Sequence, residues 1–202
     1  MGPGYPTAGS SAIFLLVAIG APALLVIVWA IATYNRFVNL KNLISESWSN
    51  VDTELRRRYD LIPNLVETVK AYAAHERAVF EAVAKARTRA MEAVGPPEEQ
   101  AREENELVRS LRGLLAVQEA YPQLKADQNF LELQHELVNT EDRIQAARRF
   151  YNGNVRDYNN LVQTFPSGLA AGMFGFAPRQ YFEIEEAVAR AVAVLFQPQG
   201  QS

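Results

Sequence analysis

The sequence contains no cysteine. That excludes disulfides, thiolate metal sites and cysteine nucleophiles, and it fits a reducing compartment. Histidine is scarce, with only His75 and His135. A basic excess is missing too: Lys and Arg number 20 against 23 Asp and Glu, for a net charge of -3. That balance argues against nucleic acid as a partner. No G-x-x-x-x-G-K-[ST] or G-x-G-x-x-G motif occurs, so a nucleotide cradle has no support. Strict apolar–polar alternation is also lacking, which leaves half-buried strands without a signature.

The longest absence is of charge: from Met1 to Asn35 no side chain carries one. Within that stretch residues 12–33, AIFLLVAIGAPALLVIVWAIAT, are apolar or small. At 1.5 Å per residue they would span roughly 33 Å, enough to cross a bilayer core. Trp29 and Tyr34 stand near the far end, where amphipathic rings favour the headgroup level. Ala30-Ile31-Ala32 resembles a signal-peptidase site. However, no Lys or Arg precedes the run, and the run exceeds the usual signal core. A retained anchor is therefore expected, with lipid bilayer as one partner. Arg36 and Lys41 follow the span and nothing basic precedes it. The positive-inside bias thus predicts a single-pass cell-membrane protein with its N-terminus outside and its body in the cytoplasm. The expected division is a short outer tail (1–11), a transmembrane helix (12–33), a helical bundle (34–196) and a frayed tail (197–202).

Beyond the anchor, apolar residues recur in steps of three and four, the pattern of amphipathic helices in a bundle. A first helix carries Phe37, Leu40, Ile44, Trp48, Val51 and Leu55, and a second Ile62, Leu65, Val69, Tyr72, Val79, Val83, Ala86 and Ala90. A third carries Leu107, Leu111 and Leu114; a fourth runs from Phe130 through Leu137, Ile144, Tyr151 and Tyr158 to Phe165. Gly95-Pro96-Pro97 is read as the end of the second helix, with Gly95 at C′, and Glu98 and Glu99 favour the next N-terminus. Asp127 is a candidate N-cap for the fourth. A short amphipathic helix is expected near Glu183–Phe196. The predicted fold is all-α: a transmembrane helix followed by an antiparallel up-and-down four-helix bundle.

RRRYDLIPNLV, residues 56–66, sets three arginines before an acid and a proline. Successive helical residues lie 100° apart, so Arg56, Arg57 and Arg58 fan around the axis and cannot grip one ligand together. Asp52–Arg56 and Glu54–Arg58 are favourable i,i+4 pairs. If a helix ends here, the arginines complement its negative end, Asp60 caps the next helix and Pro63 falls at N3, where its missing N–H costs nothing. The stretch reads as a helix joint at the bundle tip. An anion or partner site involving Arg57, Asn64 or Glu67 is one alternative, and a continuous helix merely kinked at Pro63 is the other.

Glu132-x-x-His135 is half of a di-iron pattern whose second half is missing, so no metal and no cofactor are expected. Tyr34-Asn35, Tyr151-Asn152 and Tyr158-Asn159 suggest a polar seam in which Asn side chains satisfy buried Tyr hydroxyls. The apolar GLAAGMFGF, residues 168–176, is expected to cover the bottom of the core, with a dip into the membrane interface as the alternative. Ala82, Ala86 and Ala90 form a small-residue seam suited to close helix approach and self-association.

YNRFVNLKNLISESWSNVDTELRRRYDLIPNLVETVKAYAAHE and NFLELQHELVNTEDRIQAARRFYNGNVRDYNNLVQTFP, followed by GF and YF, resemble the LemA family of bacterial membrane proteins over Tyr34 to about Phe182. The resemblance implies one N-terminal transmembrane helix, a short extracellular N-terminus and a cytoplasmic helical bundle, but no chemistry. A family member associated with magnetosome membranes suggests scaffolding of membrane assemblies. The motif marks Arg58, Asp60, Pro63, Asn64, Glu67, Glu76, Arg148, Tyr151, Asn152, Tyr158 and Asn159 without assigning them roles. The expectation is a non-enzymatic, membrane-anchored scaffold or adaptor with protein partners or a second copy of itself. A ligand or stimulus sensor acting through the Tyr/Asn seam is the alternative, and a ferritin-like metal protein the remote one.

Overall fold

A computed structural model of the chain describes residues 8–184, with side chains from residue 17 onward. All regular structure among these residues is helical: α1 (Ala8–Tyr72), α2 (Arg77–Glu92), α3 (Pro97–Ala116), a 3-10 turn (Val117–Ala120), α4 (Pro122–Lys125), α5 (Gln128–Gln163) and α6 (Ser167–Phe174). The described residues divide into two compact units, one of residues 8–42 with 157–178 and one of residues 43–156 with 179–184. Most of the expected C-terminal helix at Glu183–Phe196 lies outside the described residues; Glu183 and Ile184 themselves are non-helical.

In the first unit, α1 is long and apolar enough over its front part to cross a membrane. Val17, Leu24, Leu25 and Ile31 are exposed there. Burial begins at Thr33 and Phe37. Phe37 packs edge-on against Tyr158 of α5, with ring centroids 5.9 Å apart, and stacks on Phe176 at 4.5 Å. Gly175 makes the second of these contacts possible. It ends α6 in the left-handed region at φ 72°, and the next N–H, from Phe176, returns to the Ala171 carbonyl at 2.9 Å. A Cβ at position 175 would meet no neighbour, so the cost of a side chain there is conformational. Gly175→Ala should destabilise the protein by about 1–2 kcal/mol, read as a lower melting temperature.

In the second unit, the predicted stripes are the buried faces. Ile44, Val51, Leu55, Ile62, Leu65 and Val69 are buried on α1, as are Leu107, Leu111 and Leu114 on α3, and Leu137, Ile144 and Tyr151 on α5. Pro97 opens α3 with Glu98 and Glu99 in its first turn, as expected. Asp127 caps α5, its Oδ1 accepting the Phe130 N–H at 2.8 Å.

The expected joint at residues 59–63 does not exist. α1 runs through it to Tyr72, and the chain turns at residues 73–76, where neither glycine nor proline marks the break. Asp60 is therefore mid-helix rather than a cap, Pro63 is interior rather than at N3, and the arginines are not at a helix end. An interior proline leaves the carbonyl four residues earlier without its N–H. Here that carbonyl belongs to Tyr59, and the Arg87 Nε of α2 donates to it at 2.8 Å. A side chain from another helix replaces the backbone donor, so the helix need not end. Arg87→Met should cost about 1–3 kcal/mol by orphaning a partly buried acceptor. Pro63→Ala, which restores the N–H, should abolish most of that cost in a double-mutant cycle read by urea denaturation; additive effects would refute the assignment.

Smaller expectations also change. Gly95 is not a left-handed C′ residue, because α2 ends at Glu92 with an extended Ala93 as its C-cap. Phe165 is 84% exposed instead of sharing the α5 core face. Ala86 and Ala90 are buried within the unit while Ala82 is exposed, so the proposed alanine seam is not a free surface.

Candidate functional site

The three arginines part company as their 100° spacing requires. Arg56 pairs with Asp52 at 2.9 Å on the surface. Arg57, also exposed, lies 3.8 Å from Glu54. Arg58, expected to pair with Glu54, is instead fully buried and turned to other helices. Its Nη1 donates to Glu141 Oε1 of α5 at 2.7 Å, and its Nη2 donates to Glu104 Oε2 of α3. The Tyr59 hydroxyl donates to the other Glu104 oxygen. One cation thus serves two buried carboxylates, with a phenol as a further donor.

The electrostatics follow from that count. Burial pulls the Arg58 pKa down, but Glu141 and Glu104 outweigh it and hold the guanidinium above its ordinary value. Burial raises the Glu104 carboxyl above the usual range, and the attraction of Arg58 does not fully reverse it. The two directions agree: a single positive charge cannot neutralise two desolvated carboxylates, and the shortfall appears on Glu104. Burial and the neighbouring Glu104 likewise raise the Tyr59 phenol. Such a cluster ties α1, α3 and α5 to one register.

Arg148, Tyr151 and Asn152 form a second constellation on α5. At Tyr151 and Asn152 the expected Tyr/Asn seam holds an extended segment. The Tyr151 hydroxyl donates to the Gln180 carbonyl at 3.0 Å. Asn152 grips Phe182 at both ends, Nδ2 donating to its carbonyl at 3.0 Å and Oδ1 accepting its N–H at 2.9 Å. Arg148 Nη1 donates to the Ile184 carbonyl. The gripped residues are 180, 182 and 184, the period of two of an extended chain. Phe182 and Ile184 are buried, whereas Tyr181 and Glu183 face outward. Trp48 meets Tyr151 at 5.1 Å and Phe182 at 5.2 Å, both edge-to-face. Asn152 reads backbone and Trp48 reads the aromatic ring: a peptide clamp already filled by the chain's own residues.

The other marked residues separate cleanly. Tyr158 and Asn159 are buried. Arg57, Asp60, Pro63, Asn64 and Glu67 are all exposed on α1, and positions 57, 60, 64 and 67 follow the 3-4 spacing of one helical face. Glu67 has Lys70 at 3.4 Å. Glu132 and His135 are exposed on α5, and no group of three metal-ligating side chains occurs among the described residues. A cleft of about 450 Å³ lies beside the clamped segment, lined by Glu98, Arg102, Asn105, Arg179, Tyr181 and Glu183.

Glu104, Glu141 and Arg87 were not among the candidate residues. Their signal lies in position: Glu104 falls in line with Ala101, Val108 and Leu111, and Glu141 with Leu137 and Ile144. A charge on an apolar stripe needs a buried partner.

The chain resembles curated proteins of two organisms. Magnetosome protein MamQ 2 and magnetosome protein MamQ 1 of Paramagnetospirillum magneticum are each 27% identical to it over 175 residues, covering 74% of this chain and 64% of theirs. Magnetosome protein MamQ of Magnetospirillum gryphiswaldense is 24% identical over 200 residues, covering 86% of this chain and 74% of its own length. The chain thus spans under two thirds of the first two relatives. The LemA family model matches residues 47–196. By that match over most of its length, the chain belongs to the LemA family.

Proposed function

We propose that this protein is a membrane-anchored, non-enzymatic scaffold. Residues 12–33 cross the bilayer once with the N-terminus outside, and an antiparallel four-helix bundle presents a partner-binding face in the cytoplasm. The observation that carries the reading is the division of the family motif. Arg58, Arg148, Tyr151, Asn152, Tyr158 and Asn159 point inward and hold the body together. Arg57, Asp60, Asn64 and Glu67 line one exposed face of α1, where surface pairs such as Glu67–Lys70 contribute only tenths of a kcal/mol. Residues that stability does not require are available for recognition. The relatives' naming as magnetosome proteins supports a role at a membrane-bounded assembly.

A photo-crosslinking residue at Asn64, in native membranes, tests this. The expected result is one reproducible protein adduct, lost in Asp60→Arg and Arg57→Glu variants that melt like the parent. An adduct pattern that matches a probe at Glu132, or that survives both charge reversals, would refute the reading.

A further inference from the structure

Among the described residues, α6 and its flanks present an exposed apolar surface. Phe165 is 84% exposed, Leu169 63%, Met173 82% and Phe174 48%. Leu169 and Met173 are four residues apart on one side of α6, while Ser167, Ala170 and Ala171 are buried on the other. Part of residues 168–176 covers the core as expected, since Ala170 and Ala171 are buried and Phe176 stacks on Phe37, but Leu169, Met173 and Phe174 face out.

Its position within the unit identifies what it meets. The ring of Tyr34, which follows the apolar span, contacts Phe174 edge-on at 5.1 Å and Phe176 at 5.7 Å. α6 is therefore fixed beside the residue that ends the span. Charge points the same way. No residue between Asp157 and Arg179 is charged, and the unit's N-terminal segment carries only Arg36 and Lys41, both exposed. An uncharged apolar face beside the mouth of a spanning helix, with two cations nearby, matches the headgroup–acyl boundary of an anionic bilayer.

We infer that α6 is a second, interfacial membrane contact: Phe165, Leu169, Met173 and Phe174 insert shallowly into the leaflet that α1 leaves. The inference rests on the reading that residues 12–33 cross the membrane, and its test separates the two. The chain has no cysteine, so Met173→Cys, Leu169→Cys, Leu24→Cys and Glu132→Cys each give a unique labelling site on an exposed position. The full-length variants are labelled with an environment-sensitive fluorophore and reconstituted into phosphatidylethanolamine–phosphatidylglycerol vesicles. Quenching is compared among lipids carrying a nitroxide near the headgroup, lipids carrying one deep in the acyl chain, and aqueous iodide.

The expected result at 173 and 169 is several-fold stronger quenching by the headgroup nitroxide than at 132, with iodide quenching correspondingly weaker. If 24 is lipid-quenched while 173 and 169 behave like 132, the interfacial contact is overturned and the span stands. Labels at 173 and 169 shielded from all three quenchers would mean a protein covers this face, which also overturns it. No lipid quenching at 24 would remove the spanning helix and the inference with it.

Discussion

Arg58→Ala should lower the free energy of unfolding by about 3–5 kcal/mol, because two buried carboxylates lose the cation they share. The loss exceeds anything expected at Arg56 or Arg57, whose exposed pairs are worth under about 1 kcal/mol. Chemical denaturation followed by circular dichroism reads the difference. Replacing Glu104 and Glu141 by glutamine in the Arg58→Ala background should recover most of it, since the penalty lies in unpaired charge rather than lost volume. Equal effects at positions 56, 57 and 58 would contradict the cluster.

The same cluster sets an unusual pH dependence. Burial holds the Glu104 carboxyl above its ordinary 4.5 in the folded chain. A group that keeps its proton more tightly when folded contributes stability that is fully present below the unfolded value and is lost as pH rises through the folded one. Asp127 acts in the opposite sense. The Phe130 N–H and the Tyr72 hydroxyl hold it below 3.8, so its contribution is present above that value and is lost as pH falls through the folded one. Glu104→Gln should therefore flatten the decline above about pH 4.5 and leave the acid limb unchanged.

Phe182→Ala should cost about 3–5 kcal/mol, the range for emptying a buried aromatic site. The ring is fully buried and meets Trp48 edge-to-face at 5.2 Å. The Asn152 side chain holds the Phe182 backbone at both the N–H and the carbonyl, so the cost should appear as local opening. Amide exchange at Phe182 should accelerate while the interior of α5 stays protected. Tyr181→Ala, on the outward side, should stay within about 0.5 kcal/mol. Uniform loss of protection along α5 would show that the segment is not a separable strap.

What the sequence made legible was periodic. Steps of three and four located the core faces of α1, α3 and α5, and the uncharged front located the apolar span, because both signals are local. Three features depended on distant residues and stayed hidden. Pro63 reads as a helix break until a donor from α2 meets the Tyr59 carbonyl. Glu104 and Glu141 read as surface charge until their places on apolar stripes are noticed. The alternation of Phe182 and Ile184 is too short to separate from the start of a helix, and only the Asn152 clamp reveals it.

The Arg87–Tyr59 hydrogen bond also binds the history of two positions. Wherever a related chain carries a residue with an N–H at position 63, the helix closes its own ring and position 87 is released to drift. Wherever proline persists, 87 must keep a long donor. These two sites, 24 positions apart, should change hands together across descent, with arginine lost only after proline has gone.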